Sequence, residues 1–425
     1  MPKKILVVCR HFWPEKTRIN ELCNHLVSYG FKVDVLCGQP CNEAGEFQRG
    51  YNSFKVRRET KNKINIYRTF DVKQGNGSNL RIFLNYVTFP LMARMQSSHL
   101  LQGKYDAVLI YQLSPVMMCG PGIRIAEKLQ IPVYIYVADL WPQGLYSVID
   151  VQSSLFRRLL YRISMSYYRK ADRLIVPSEL MRGYFASRLG MTDEQLPVVT
   201  QVPDSAYEQK IRDDSLLEKL AGSFTLLVPG DFDGQLHVDG VIRTAQKIRS
   251  SEAGNIRFVV TGTGEKIGEL QKQVMKNGLE DLFFFEGRIT SMETGKYLYA
   301  ADIITAIVKP EKTSAYQLPH QMINYLAAGK PVVASIGGLV KDLIRRAGCG
   351  EAVEPDDLSG IYSSIMKIYR MSGQERQRLG QQGAAWQKEH FNPDENAEKI
   401  AWILAGEDAN VPSAEVSSIR QLRDL

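Results

Sequence analysis

The chain has only six cysteines in 425 residues, at 9, 23, 37, 41, 119 and 349, too few and too scattered for a disulfide framework. Cys37 and Cys41 lack the second pair or nearby histidines that a zinc site needs. Cys9 and Cys37 fall at expected strand ends and Cys23 on a helix face, where buried thiols are common. All six therefore read as reduced, and the expected compartment is the cytoplasm. No Gly-x-Gly-x-x-Gly follows the first apolar run, which counts against a nicotinamide or flavin site there. Long apolar runs are missing too. Met-Pro-Lys-Lys leads into too few apolar residues for a signal peptide. The run 81–95 is broken by Asn85, Thr88, Pro90 and Arg94 and does not span a bilayer. A strong charge of one sign is also absent: 53 Lys+Arg against 46 Asp+Glu leaves +7. That is too weak to argue for nucleic acid, but it suits nucleotide sugars, lipid diphosphates or a membrane surface.

What is present is ordinary for a globular protein: 44% hydrophobic and 23% charged residues, with enough length for two domains. Lys4–Cys9 and Lys32–Cys37 are continuous apolar strands around a helix with Ile19, Leu22, Cys23, Leu26 and Val27 on one face. Further strands are expected at 64–68, 106–111, 132–137 and 173–177, with helices between the last three. Such alternation means a doubly wound sheet, with its ligand at the carboxyl ends of the strands. The residues there are His11, Phe12, Trp13, Glu15, Arg18, Gln112, Ser114, Asp139, Trp141 and Ser178. The stretch 198–207, with Pro203 and little periodicity, reads as a linker. Strands then resume at 224–230, 256–262, 282–287, 302–308 and 331–335. Two of their turns, Thr261-Gly-Thr-Gly264 and Glu286-Gly-Arg288, would let backbone approach a nucleotide closely.

The stretch 317–338 organises the second half. Pro319 suits the first turn of a helix, Met322, Ile323, Leu326 and Ala327 follow at helical spacing, and Gly329 stops it. A short strand, 331–335, runs into Gly337-Gly338 and a second helix. The two helix starts, near His320 and Gly338, offer unpaired N–H groups that favour phosphate. An ordinary α/β unit with tight turns accounts for the same spacing. Asp139 at a strand end either orients an acceptor hydroxyl and receives its proton, or caps the turn Asp-Leu-Trp-Pro. His11 is a second candidate for acid–base work, or is simply packed beside Phe12 and Trp13. The segment 154–173 joins an apolar helical stripe (Phe156, Leu159, Leu160, Ile163, Tyr167) to six basic residues and a single acid, Asp172. It is either a helix docked on the sheet with a solvated basic face, or a membrane-surface contact.

Pro-x-x-x-x-x-Tyr-Leu-Ala-Ala-Gly-Lys-Pro-Val-Val-Ala-Ser, followed by Gly-Gly and Ala347-Gly-Cys-Gly350, resembles the donor-site signature of family-4 retaining glycosyltransferases. His11-Phe-Trp-Pro-Glu-x-x-Arg-Ile-Asn20, Gly38-x-Pro, Gly45-x-Phe-x-x-Gly-Tyr51, Tyr111-Gln-x-Ser-Pro115 and Asp139-Leu-Trp-Pro142 are similar to the branch containing colanic-acid and O-antigen enzymes, fucosamine transferases among them. The likeness runs to about residue 390. It implies an α/β fold of two Rossmann-like doubly wound domains facing across a cleft (GT-B). The expected parts are an acceptor-side domain at 1–203, a nucleotide-sugar donor domain at 204–385, a helix at 386–405 returning to the first domain, and a flexible tail at 406–425. It further implies catalytic roles for Asp139 and His11, and acceptor contacts from Glu15, Arg18, Gln112 and Trp141. Donor contacts would come from Gly230, Gly262, Gly264, Gly287, Arg288, His320, Gln321, Asn324, Gly337 and Gly338. No cofactor or metal is implied. The implied partners are a nucleotide sugar, a lipid-linked acceptor and the inner face of the cell membrane, not nucleic acid.

The sequence also departs from that pattern. Where many members carry two glutamates eight positions apart, this chain has Tyr316 and Asn324, and His320 and Gln321 replace a serine-lysine pair. Asp231 and Asp233 stand in a loop where relatives carry neutral or basic groups, and two acids there would repel a diphosphate unless a divalent cation intervened. Three readings follow: an active sugar transferase, a non-catalytic relative with a decayed donor site, and a nucleotide-sugar epimerase of similar architecture.

Overall fold

A computed structural model describes residues 3–42, 45–53, 57–72, 79–148, 153–251, 254–309, 318–355 and 357–406. The chain divides into two compact units, one holding the residues up to Thr200 together with the stretch from Pro393, the other Gln201–Asn392.

The first unit is built on strands β1 (Lys4–Val8), β2 (Lys32–Cys37), β3 (Arg58–Lys61), β4 (Ile64–Arg68), β5 (Ala107–Gln112), β6 (Val133–Val137) and β7 (Arg173–Ile175). They form one sheet in the order β3-β4-β2-β1-β5-β6-β7, parallel except for the β3–β4 pair. The central strands are buried on both faces, which is why they read as unbroken apolar runs. Ile19, Leu22, Cys23 and Leu26 of the helix Arg18–Ser28 cover one face, joined by Ala397, Ile400 and Leu404 of the last helix, Pro393–Ala405. Asn396 fastens that last helix to the end of the unit, donating to the Thr200 carbonyl at 2.9 Å. The opposite face is covered by helices Asn79–Gln96, Gly120–Leu129, Ser154–Tyr168 and Glu179–Leu189. Asp34, a buried acid on β2, is satisfied by Lys4 Nζ and the Tyr105 hydroxyl, each at 2.8 Å. All six cysteines are free, and burial pushes the Cys37 thiol up to about 12.

The second unit contains β8 (Phe224–Val228), β9 (Ile256–Thr261), β10 (Phe283–Gly287), β11 (Ile303–Ile307), β12 (Val332–Ser335) and β13 (Gly350–Ala352), in the order β10-β9-β8-β11-β12-β13. Every pairing in it is parallel. In each sheet the chain starts at the centre and winds outward in both directions. The strand order therefore reverses between β1 and β5 in the first sheet and between β8 and β11 in the second. Ligands of open α/β sheets bind at the carboxyl ends beside such reversals. Among the described residues no helix is long and apolar enough to cross a membrane.

Candidate functional site

At the reversal in the second sheet, β8 and β9 end on glycines that touch through their backbones. A Cβ on Gly230 would lie 2.4 Å from the Thr261 carbonyl oxygen and 2.9 Å from Gly262 Cα, so a side chain there would force the two turns apart. Gly262 (φ +94°) donates its N–H to the Gly287 carbonyl at 2.5 Å, which ties the end of β10 to the same point. Beside this junction opens a pocket of about 170 Å³, lined by Tyr207, Pro229, Gly230, Gly262, Ile289 and Tyr297 among others. Burial and a hydrogen bond to Glu286 hold the Tyr297 phenol above its ordinary range. Tyr207, Ile289 and Tyr297 were not among the sequence candidates. Gly264 opens the helix Glu265–Lys276 that follows the junction.

The loop after Gly230 crosses to β11, where Lys309 N–H donates to Gln235 O at 2.8 Å and His237 N–H to Ile307 O at 3.0 Å. The side chains of Asp231 and Asp233 lie outside the described residues. Among the described residues no three His, Cys, Asp or Glu side chains converge as a metal site would require. Among the described residues two cations stand exposed at this end of the sheet: Arg288 on the turn after β10, and Lys309 after β11, which sequence reasoning passed over. Lys330 precedes β12 and so belongs to the opposite edge. Its ammonium donates to the Tyr299 and Ala301 carbonyls at 3.0 and 2.6 Å, closing the C-terminus of helix Ser291–Ala300. Burial, with Lys210 nearby, lowers its pKa to about 8.

His320 and Gln321 form the first turn of helix His320–Ala327, half-buried, with Pro319 capping it one position earlier than expected for a first-turn proline. Asn324, expected to hold donor hydroxyls, is only 1% exposed. Its amide donates to Asp204 Oδ2 and accepts the Asp204 N–H, both at 2.8 Å. Both functions of that amide are thus engaged inside the unit. Tyr316 lies outside the described residues. Gly338 (φ +61°) opens helix Leu339–Ala347 with no atom within 4 Å of where its Cβ would stand. Gly337 lies against Glu354, 2.6 Å from the position of a Cβ, and the other oxygen of that carboxylate pairs with Lys341 at 3.0 Å.

In the first unit, β1 delivers Arg10 and His11 to the reversal. His11 Nδ1 lies 2.8 Å from Glu15 Oε2. An ionised carboxylate only accepts, so Nδ1 carries the proton and Nε2 is the nitrogen left for other work. Glu15 also accepts the Cys41 N–H at 2.7 Å, so it serves here to hold His11 and the 41 loop. Beneath them Asp71 is buried against Gly38, with Arg10 at 3.9 Å, and burial pushes its carboxyl up to about 6. Arg18 starts its helix half-buried, close enough to Tyr136 to favour the phenolate. Asp139 follows β6 and lies over the helix Gln143–Val148, where a Cβ on Gly144 would come within 2.4 Å of its Oδ1. Burial raises its pKa, and a hydrogen bond from Ser114 opposes the shift. The peptide bonds before Pro14, Pro115 and Pro142, all at this edge, are cis.

Two expected acceptor contacts are placed otherwise. Trp141 is only 2% exposed; its N–H donates to the Tyr168 hydroxyl at 3.3 Å, and its carbonyl accepts from Ser164. Gln112 is fully buried, donating to Leu113 O at 2.9 Å and accepting from the same Tyr168 hydroxyl at 3.2 Å. Both are core residues that fix the strand ends, because the aromatic and amide groups turn back under the sheet edge rather than out of it.

The family described as Glycosyltransferase Family 4 matches residues 16–201, and Glycosyl transferases group 1 matches 211–386. A sucrose-phosphate synthase from Thermosynechococcus elongatus superposes with a TM-score of 0.72 at 14% identity, covering 95% of this chain and 98% of that one. HepE from Anabaena, solved with UDP and glucose, gives 0.66 at 14% identity over 95% and 100% of the two chains. WaaG, a glycosyltransferase involved in lipopolysaccharide biosynthesis, gives 0.62 at 15% identity over 95% and 100%. Among curated proteins the sequence finds no match. The two parallel-sheet α/β units are those of the GT-B fold.

Proposed function

We propose that this chain, a glycosyltransferase of the kind its two domain matches support, moves a sugar from a nucleoside-diphosphate donor to a lipid-linked or glycan acceptor, with retention of configuration. The setting we propose is bacterial surface polysaccharide synthesis at the inner face of the cell membrane, as in the O-antigen and colanic-acid branch that the sequence resembles. One observation carries the donor half: the glycine junction Gly230–Gly262–Gly287 beside a pocket with two tyrosines, in the position where an α/β sheet takes its ligand. Relatives of the same fold support it, since HepE was solved with UDP-glucose as well as with UDP.

In this reading the base and ribose enter the pocket and the diphosphate lies toward the starts of helices 320–327 and 339–347. Each helix end contributes about 0.3–1 kcal/mol to holding an anion, so a cation must act with them. Arg288, with its planar fork, and Lys309 are the cations at this edge. Positioning and charge stabilisation of the leaving diphosphate supply most of the acceleration, and no metal is required. His11, through Nε2, and Asp139 meet the acceptor hydroxyl on the first unit.

The alternative of a non-catalytic subunit draws on the Lys341–Glu354 pair at the start of helix 339–347, which puts a carboxylate beside a turn meant for phosphate. Calorimetric titration with UDP, GDP, ADP and dTDP, with magnesium and with EDTA, separates the two readings. The transferase must bind at least one nucleotide and then release it from the matching nucleotide sugar. Failure to bind any of them under either condition leaves the non-catalytic reading in its place.

A further inference from the structure

Among the described residues nine large apolar side chains are exposed, and six of them lie on just two helices. In helix 79–96 these are Val87, Leu91 and Met95, one per turn along a single face, while Phe89 and Ala93 turn into the core. In helix 154–168 they are Leu155, Phe156 and Leu159, while Leu160, Met165 and Tyr168 point inward. Exposure reaches 76% at Leu155 and 64% at Met95, so these are outward-facing groups rather than core margins. Both helices rest on the same short turn, Val116–Cys119, on one face of the first sheet. Neither carries an acidic residue. Arg94, Arg157, Arg158 and Arg162 stand among the apolar groups, and Arg124 joins them by donating to the Arg94 carbonyl at 2.6 Å. Arg158 and Arg162 are exposed and make no ion pair among the described residues.

We infer that these two helix faces form one docking surface for an anionic lipid bilayer. The apolar side chains enter the headgroup layer and the arginines lie on its phosphates. Charge selects this occupant: a second copy of the same face would set five arginines against five, and a neutral surface would offer Arg158 and Arg162 no counter-charge. Sequence periodicity singled out helix 154–168 alone, grouped Phe156, Leu159, Leu160, Ile163 and Tyr167 in one apolar stripe, and left open whether that stripe docks on the sheet or meets a membrane. The structure turns Leu160 inward and adds the second helix. The inference extends the proposed membrane setting, and it stands or falls separately from nucleotide binding.

Flotation of the full chain with vesicles tests it, using phosphatidylcholine alone and phosphatidylcholine with phosphatidylglycerol in equal parts. The protein should float with the anionic vesicles, less so at high salt, and not with the neutral ones. The double variant Arg158→Ser/Arg162→Ser should lower partitioning about 25-fold, roughly fivefold per arginine. Leu91→Ser/Leu159→Ser should lower it by about an order of magnitude or more even at low salt. All four positions are exposed, so thermal melting should not change and a loss of binding cannot be assigned to unfolding. The inference is overturned if the wild type floats with neither vesicle, or if both variants float as well as the wild type. It is equally overturned if the apolar variant abolishes a concentration-dependent dimer while leaving flotation intact. Nucleotide titration on the same samples reports separately on the transferase reading.

Discussion

Replacing Asn324 by Asp changes one amide nitrogen to an oxygen and should cost the second unit much of its stability at neutral pH. In the native protein the Asn324 amide donates to Asp204 Oδ2 and accepts from Asp204 N–H, both at 2.8 Å, at a site only 1% exposed. The variant keeps the acceptor but loses the donor, and sets two carboxylates at hydrogen-bond distance out of water. A hydrogen bond to a charged group contributes about 1.5–3 kcal/mol, and leaving a buried charge uncompensated costs about 3–5 kcal/mol. These overlap rather than add, so a loss of about 3–4 kcal/mol is expected at pH 8. For a unit of this size that is roughly 10 °C in its melting transition. The pH dependence is the sharper test. Two carboxylates so placed share one proton, and the folded pKa of the pair rises above the unfolded value of about 3.9. The folded state then binds more protons than the unfolded state over that interval, so stability returns as pH falls from 8 toward 5. Exchanging the two groups, Asn324→Asp with Asp204→Asn, restores an amide facing a carboxylate and should recover most of the loss at pH 8. Scanning calorimetry of the wild type and the two variants from pH 5 to pH 8 measures all of this. A single variant that melts like the wild type at pH 8 would refute the reasoning. Should it also bind nucleoside diphosphate differently, Asn324 belongs to the donor site after all.

Gly262→Ala should destabilise by about 1–2 kcal/mol, because φ is +94° and the new methyl would meet Gly230 Cα at 2.9 Å; nucleotide affinity should fall at least tenfold, read by titration. Asp71 has its carboxyl pushed up to about 6 from 3.8 by burial, so its ionised form opposes folding by about 3 kcal/mol above pH 6. Its contribution to stability therefore grows as pH falls from 7 toward 4. Asp71→Asn should flatten that slope in urea melts whatever it does to the intercept, and an unchanged slope would remove Asp71 as its source.

Eleven of the thirteen strands were legible, most of them as apolar runs, because a parallel strand covered on both faces has no room for alternation. The two that escaped are explained by the same physics. β3 is Arg-Glu-Thr-Lys on the antiparallel edge, mostly exposed, with the charged make-up that protects an edge from further pairing. β13 is three residues, Gly-Glu-Ala, too short to show any pattern. The glycines of the donor side were equally readable, since close backbone approach leaves a mark in the sequence. Side chains at strand ends were less so. His11 and Trp141 both follow an apolar run at the same edge, yet one faces a carboxylate at 2.8 Å and the other is sealed beneath Tyr168. Spacing fixes where a residue leaves the sheet, not which way its side chain then turns. That choice depends on partners far away in sequence, Glu15 with Cys41 in one case and Tyr168 with Ser164 in the other.

The same distance effect bears on the choice between an active and a decayed donor site. From sequence alone, Asn324 counts as a lost glutamate and therefore as a sign of decay. In the folded unit it is half of a reciprocal pair, and Asp204, the other half, sits 120 positions away. A glutamate at 324 would meet the Asp204 carboxylate with no donor between them, the unfavourable arrangement just described for aspartate. The asparagine is thus the residue that Asp204 requires, and the pair accounts for its presence without appeal to erosion of the site. The glycine junction beside it argues in the same direction. Gly262 keeps a backbone conformation that side chains rarely adopt, and it opens onto a pocket of about 170 Å³. A site free to drift would be under no physical need to hold that conformation. The feature that remains to weigh against activity in the proposed donor site is the Glu354 carboxylate against Gly337. Titration with nucleoside diphosphates reads the balance between that carboxylate and the cations Arg288 and Lys309.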